Sequence, residues 1–263
     1  MPFTTTSNGL RYFSFASLAG EAVFQAVFTR RGGVSPAPWD SLNVGGTVGD
    51  DPELVAENRL RLFQAAGRAL DSLYDVWQVH GKRVVCSDAP RPPDQVHLKA
   101  DAILTDRPGV TLFMRFADCV PILLYDRRQH VVGLVHAGWQ GTLQRVAAAA
   151  VATMVARYGS RAEEIQAGIG PSIGPDHYEI GPDVASQVKQ VFGAAAGAYL
   201  TPVNGSLHLD LWAANRAVLE ASGVKAIEVA GICTGCQPSD WYSHRAEHGQ
   251  TGRFGALISL ADS

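Results

Sequence analysis

Three strand-like, largely apolar runs, at residues 110–116, 120–125 and 131–136, the last continuous up to His136, constrain this chain more than any other feature. Continuous apolar segments of this length, bounded by turn residues, read as buried strands. The first two flank an Ala-Asp-Cys segment, and a polar turn at 126–130 separates the second from the third. Residues 22–29 (AVFQAVFT) read as a further buried strand, which passes into TRRGGVSPAPWDSLN, an extended loop rich in Gly, Pro and Ser.

Around these strands the helical signals are interspersed. A helix is expected over 51–70, capped by Asp50 or Asp51, with Pro52 in its first turn and Leu54, Leu60, Leu62 and Phe63 as its apolar face. Residues 73–80 and 83–86 read as two strands joined by a turn at Gly81. Gly138 and Gly141 interrupt the third run before a helix at 142–158. Further strands are expected at 165–170, 227–232, 241–244 and 254–260, and further helices at 182–192 and 210–222. Strands and helices mix without a steady βαβ beat. The fold class is therefore α+β, one domain over 1–263 with mixed, layered β-sheets flanked by helices, rather than a doubly wound parallel sheet.

Composition excludes several classes of function. A net charge of -3 with 18% charged residues lacks the basic footprint of a nucleic-acid binder. No apolar run reaches the roughly 18 residues of a membrane span. The N-terminus has no basic start followed by an apolar segment, so no secretory signal is read there. Four cysteines in 263 residues do not make a disulfide framework, and a reducing cytoplasm is the expected compartment.

Three residues stand out as candidate metal ligands: His80 in QVHGK, Cys119 in ADC and His136 in LVHAGW. Each is read at a strand end beside Gly or Pro, where side chains project into a cleft. Imidazole and thiolate suit zinc, and three protein donors leave a fourth position for water or substrate. On composition alone, a cysteine or histidine is more often a core residue than a ligand, and both readings stay open at this point. HAGWQGT reads as a strand-to-helix turn whose N–H groups could hold an anion. Cys233 and Cys236 form a CxxC with no second copy, either a redox pair or half of a metal knuckle. The loop carrying His244, Arg245, His248 and Arg253, and Arg59 on the first helix, supply donors for an anionic group.

Taken together, TRRGGVSPAPWDSLNVGGTVGDDPELVAENR, QVHGKRV, ADAILTDRPGVTLF, ADCVPILLYD, VGLVHAGWQGT, GIGPSIGPDHYEIGPDV and SHRAEHGQTGRFGALISL resemble the YfiH-like laccase-domain family, in family order from about Thr29 onward. That family carries a multicopper polyphenol oxidase label and an association with purine nucleoside phosphorylase activity. The resemblance implies an α/β/β/α-type sandwich with zinc on His80, Cys119 and His136. It implies phosphorolysis of adenosine, inosine, guanosine and methylthioadenosine, and adenosine deamination. The expected partners are a purine nucleoside and phosphate, with Asn43, Arg59, Gln140 and Arg245 against them and Asp118 orienting a proton or a ligand. The chain is expected to be a monomer or small homo-oligomer that binds neither nucleic acid nor membrane.

Two departures from the family pattern, Gln140 and Ala246, each stand where the family usually carries arginine. Copper is the alternative metal, since the same donors bind it. The eight histidines include no HxH pair of the kind a multicopper centre needs. Two other readings remain: an amidase with Cys119 as nucleophile and His136 as base, acting on a cell-wall precursor, and a nucleoside-binding module without turnover.

Overall fold

The structure is a computed structural model that describes residues 3–261. In chain order its first strands are β1 (Phe3–Thr5), β2 (Arg11–Phe13), β3 (Val23–Phe28), β4 (Leu73–Tyr74), β5 (Val84–Cys86), β6 (Ala102–Thr105), β7 (Thr111–Phe116), β8 (Val120–Asp126) and β9 (Val131–Ala137). They are followed by β10 (Ile165–Ile169), β11 (Glu179–Ile180), β12 (Leu200–Val203), β13 (Ser206–Leu209), β14 (Ala226–Val229) and β15 (Phe254–Leu260). The α-helices are α1 (Pro52–Ala65), α2 (Trp139–Leu143), α3 (Val146–Tyr158), α4 (Pro182–Phe192) and α5 (Leu211–Ala221).

Two six-stranded sheets, ordered β1-β2-β3-β15-β7-β4 and β14-β10-β8-β9-β6-β5, stack face to face, and β11-β13-β12 forms a small third sheet. The stacking explains the apolar runs. Every residue of β8 and β9 is buried, because successive side chains point to opposite faces and both faces are covered. Leu123, Tyr125, Val132 and Leu134 face the first sheet, against Met114, Phe116, Phe254 and Ile258. Ile122, Leu124, Val131 and Val135 face the other way, against Ala147, Val151 and Met154 of α3 and Leu211 and Val218 of α5. On the far side of the first sheet, Leu62 and Phe63 of α1 pack on Phe28, Phe113 and Leu257. The result is the helix–sheet–sheet–helix layering implied by the resemblance. Each large apolar side chain buried in these layers contributes about 1.5–3 kcal/mol relative to exposure.

Several boundaries differ from the sequence reading, each for a local reason. Helix α1 is capped by Asp51, which accepts from the Glu53 N–H at 2.8 Å, but it stops at Ala65 and not at 70. Its buried face is Val55, Asn58, Leu62 and Phe63; Leu60 is 39% exposed and lies off it. The expected pair of strands at 73–80 and 83–86 is not a hairpin. Strand β4 pairs with β7 and β5 with β6, so the intervening chain passes from one sheet to the other. The helix expected at 142–158 starts earlier as α2 and breaks at Arg145, whose φ of 60° is left-handed, before α3 begins. Residues 241–244 are not a strand: Trp241 and Tyr242 are fully buried in an irregular segment, and the Tyr242 hydroxyl donates to the Trp39 carbonyl. Strands β1, β2, β6, β11, β12 and β13 have no counterpart among the expected elements, and their short length hid their periodicity. Among the described residues, no helix is long and apolar enough to cross a membrane.

Candidate metal and substrate site

The crossing segment, the β7–β8 turn and the end of β9 meet at one point. His80 lies in the first, Cys119 in the second and His136 in the third. Their donor atoms all lie within 4.8 Å of one another, and the two imidazole centroids are 4.8 Å apart. His80 is not at a strand end. It sits in a turn at φ 59°, held there by a residue that sequence reasoning gave no role.

That residue is Asp101, which is fully buried. Its Oδ1 accepts from His136 Nδ1 at 2.8 Å and from the His80 N–H at 2.9 Å, and its Oδ2 accepts from the Gly81 N–H at 2.7 Å. One carboxylate therefore fixes two of the three donors. With Nδ1 of His136 occupied, Nε2 is the ring atom left for a metal, the arrangement that orients metal-binding histidines generally. Burial pushes the Asp101 carboxyl up, but the hydrogen bond from His136 and those from the turn N–H groups outweigh it and hold the pKa below the ordinary value. Asp101 belongs to the ADAILTD stretch, one of the family-like segments, but its role depends on a contact with β9 that no spacing reveals.

Burial also raises the Cys119 thiol, yet the charge of His136 and hydrogen bonds from His136 and His80 prevail and bring it down to about 6. Burial lowers His136, and the Cys119 thiolate with Asp101 prevails and raises it to about 9. Each group thus favours the charged form of the other, and a metal on the thiolate would take the place of the His136 proton. A deprotonated sulfur and two oriented imidazoles are a chemically apt donor set for zinc. Gly138 completes the fit, since a Cβ there would lie 2.9 Å from both Cys119 Sγ and His80 Nδ1, inside the space the donors surround.

The three residues sit in a cleft of about 600 Å³ whose lining includes Arg59, Arg115, Arg245 and Arg253. Arg115 pairs with buried Asp75 at 3.0 Å. Arg59 donates through Nε and Nη2 to the Val44 carbonyl, and no carboxylate pairs with it among the described residues. Burial, and then the charge of Arg115, lowers Arg59 to about 10, still fully cationic at neutral pH. The Arg245 guanidinium lies 5.2 Å from the Tyr178 ring centre and donates to the Glu179 carbonyl. The cleft is therefore metal-ligating on its floor and cationic on its walls.

The other expected site residues are placed differently. Asp118 lines the cleft at φ 78°, with both carboxylate oxygens engaged, accepting from Thr234 Oγ1 and from the Arg245 N–H at 2.7 Å each. It holds the Arg245 loop in place. Asn43 is fully buried behind the cleft wall, not in it. Its Oδ1 accepts from the N–H groups of Gly45 and Arg253, and its Nδ2 donates to Asp50, so its donors and acceptors are used in tying two loops together. Gln140 is exposed on α2 and is not part of the cleft lining. Helix α2 spans five residues, too short for a helix start that concentrates an anion. Arg115 and His97 line the cleft without any sequence signal to mark them.

Two stacked sheets between helix layers, with a His-Cys-His cluster at the base of an arginine-lined cleft, define a metal-binding enzyme class rather than a structural module. The chain belongs to the multi-copper polyphenol oxidoreductase laccase family, whose model matches residues 24–261. Among its relatives, the purine nucleoside phosphorylase of Deinococcus radiodurans is 44% identical over 239 residues, covering 91% of this chain and 90% of the relative. Adenosine deaminase RL5, from an unknown prokaryotic organism, is 36% identical over 239 residues, covering 87% and 91%. The crystal structure of YlmD from Geobacillus stearothermophilus superposes with a TM-score of 0.91 at 32% identity, covering 99% of each chain.

Proposed function

We propose that this protein is a zinc-dependent purine nucleoside phosphorylase acting on adenosine, inosine, guanosine and methylthioadenosine. The observation that carries the reading is the juxtaposition of His80, Cys119 and His136 with Arg59, Arg115, Arg245 and Arg253 in one cleft. The names of the relatives point the same way.

Zinc on His80, Cys119 and His136 would supply Lewis-acid polarisation of an oxygen or nitrogen on the substrate side of the cleft. The chain's own residues do the rest. Arg59, which pairs with no carboxylate among the described residues, and Arg245 hold phosphate, and Arg115 adds to the field. Phosphate attacks the ribose C1′ as the purine leaves, through a transition state with oxocarbenium character, so the two partners must be held in line. Trp77, 50% exposed at the cleft, offers a flat apolar face to the purine. Asp118 positions the Arg245 backbone, and Asp101 keeps His136 and His80 aimed at a common point.

A second reading has one observation in its favour. Cys119 lies beside His136, whose Nδ1 is held by Asp101 at 2.8 Å, and this order of thiol, imidazole and carboxylate would serve a cysteine amidase. Chelation separates the two readings, because it abolishes a zinc-dependent reaction and spares a metal-free one. Adenosine deamination would use the same metal and cleft. Zinc rather than copper is the proposed metal, and the cytoplasm the proposed compartment, consistent with the four free cysteines.

The deciding assay incubates inosine with the zinc-loaded protein, with and without phosphate, and reads products by mass spectrometry. Hypoxanthine and ribose-1-phosphate formed only with phosphate, and lost in Cys119→Ser, are expected. No turnover at any phosphate level would overturn the phosphorylase reading.

A further inference from the structure

The CxxC motif found in the sequence is not part of the cleft. Cys233 and Cys236 sit on the loop after β14, and the loop before β11 brings Asp176 and His177 against them. The four donor atoms lie within 4.8 Å of one another. Around His177 Nδ1, Cys236 Sγ is at 3.5 Å, Cys233 Sγ at 3.7 Å and Asp176 Oδ2 at 3.0 Å, while Cys236 Sγ lies 2.8 Å from Asp176 Oδ2. A tetrahedral zinc with the usual bond lengths has a sulfur–nitrogen edge of about 3.5 Å and a nitrogen–oxygen edge of about 3.3 Å. The sulfur–nitrogen and nitrogen–oxygen distances are near those edges, whereas the 2.8 Å contact of Cys236 Sγ with Asp176 Oδ2 is a thiol–carboxylate hydrogen bond, shorter than the sulfur–oxygen edge of about 3.6 Å, which opens as the thiol proton leaves.

Two glycines make this approach feasible. A Cβ on Gly235, inside the CxxC turn, would fall 3.1–3.3 Å from three atoms of the His177 side chain. A Cβ on Gly174 would fall 2.5 Å from Asp176 Oδ1 and 3.1 Å from Cys233 Cβ. The space a side chain would take at either position is occupied by the ligating residues. Nothing in the phosphorylase reading uses these four residues.

We propose that Asp176, His177, Cys233 and Cys236 form a second, structural zinc site, separate from the cluster at His80, Cys119 and His136. Four protein donors close the coordination sphere, as in structural rather than catalytic zinc sites. Zinc binding displaces the thiol protons of Cys233 and Cys236 to solvent, and the two thiolates with the Asp176 carboxylate compensate the ion's charge. The site braces a wall of the cleft. Thr234, between the two cysteines, donates to Asp118, and Tyr178, next to His177, lines the cleft beside Arg245.

The test is metal content of the full-length protein, purified under reducing conditions and dialysed against metal-free buffer, by inductively coupled plasma mass spectrometry. About two zinc ions per chain are expected for the parent, about one for Cys119→Ser and about one for Cys236→Ser. Cobalt(II) added to Cys119→Ser should give a thiolate-to-cobalt charge-transfer band, which Cys119→Ser/Cys236→Ser loses. Should Cys236→Ser fail to fold, Asp176→Asn, a change at a half-exposed side chain, decides: it should weaken cobalt binding by about tenfold or more in the Cys119→Ser background. Absence of zinc and of the cobalt band in a folded Cys119→Ser protein would overturn the proposal. So would a Cys233–Cys236 disulfide in the protein isolated without oxidant, or unchanged cobalt affinity in Asp176→Asn. These readouts do not depend on turnover, so they stand or fall apart from the phosphorylase reading.

Discussion

Asp101 ties the metal cluster to the fold through a single carboxylate. An amide in its place keeps the shape but loses the charge that His136 and the turn at His80 both use. Asp101→Asn should therefore weaken zinc binding by about 10–100-fold, read by competition with a chromophoric chelator; unchanged affinity would show that the two imidazoles are oriented without it. Gly138→Ala attacks the same cluster by volume, because the added methyl occupies the place between Cys119 Sγ and His80 Nδ1. Loss of zinc from a protein with native circular dichroism is the expected outcome. At Arg59, removal of the guanidinium by Arg59→Ala should raise the KM for phosphate more than tenfold, with a smaller effect on the KM for inosine. Equal effects on both would place phosphate elsewhere in the cleft.

At the scale of elements, the site depends on β8 and β9 being covered on both faces. Leu134 of β9 is fully buried between the sheets, two residues before His136. Leu134→Ala should cost about 2–5 kcal/mol of stability in urea unfolding, through lost burial and a residual cavity. A cost under about 1 kcal/mol would mean that the layers close over the gap. The segment that passes between the sheets is the complementary case. Over residues 75–83 its backbone pairing is confined to a parallel bridge at Trp77, beside residues 98–100, and to the Arg83 carbonyl; between them the carboxylate of Asp101 accepts from the N–H groups of His80 and Gly81. A hydrophobic pattern cannot announce such a segment, because its backbone is held by a single bridge and by the side chains of Asp101 and Arg115 from other parts of the chain.

For the molecule as a whole, acid stability follows from the same two carboxylates. Asp75 is buried among Arg91 at 2.8 Å, Arg115 at 3.0 Å and His97 at 3.0 Å. Burial pushes its carboxyl up, but Arg115, Arg91 and His97 prevail and hold it below the ordinary value of 3.8. A depressed folded pKa means that the unfolded chain takes up the proton first. The stabilisation is fully present above about pH 4 and is lost as pH falls through the lower folded value. Asp75→Asn should destabilise the protein by about 3–5 kcal/mol at neutral pH, since it leaves buried cations uncompensated. It should also flatten the acid limb of the stability curve, followed by circular dichroism during urea unfolding at stepped pH. A variant whose acid limb is as steep as that of the parent would assign the acid response to other groups.

The sequence by itself determined the layered α+β character, because β8 and β9 are apolar at nearly every position and only a covered sheet accommodates that pattern. It also marked the residue types with metal-binding chemistry and the CxxC, since histidine and cysteine beside glycine are visible without a fold. Tertiary structure decided everything that depends on which distant segments meet. It placed β4 and β5 in different sheets, broke one expected helix at Arg145 and moved Asn43 and Gln140 off the cleft. It brought Asp101 under His136, Arg115 into the wall, and Asp176 with His177 against the cysteines. The physical reason is the range of the interactions. Burial periodicity and capping are local and repeat along the chain, whereas a hydrogen bond between residues dozens of positions apart exists only once the sheets have stacked.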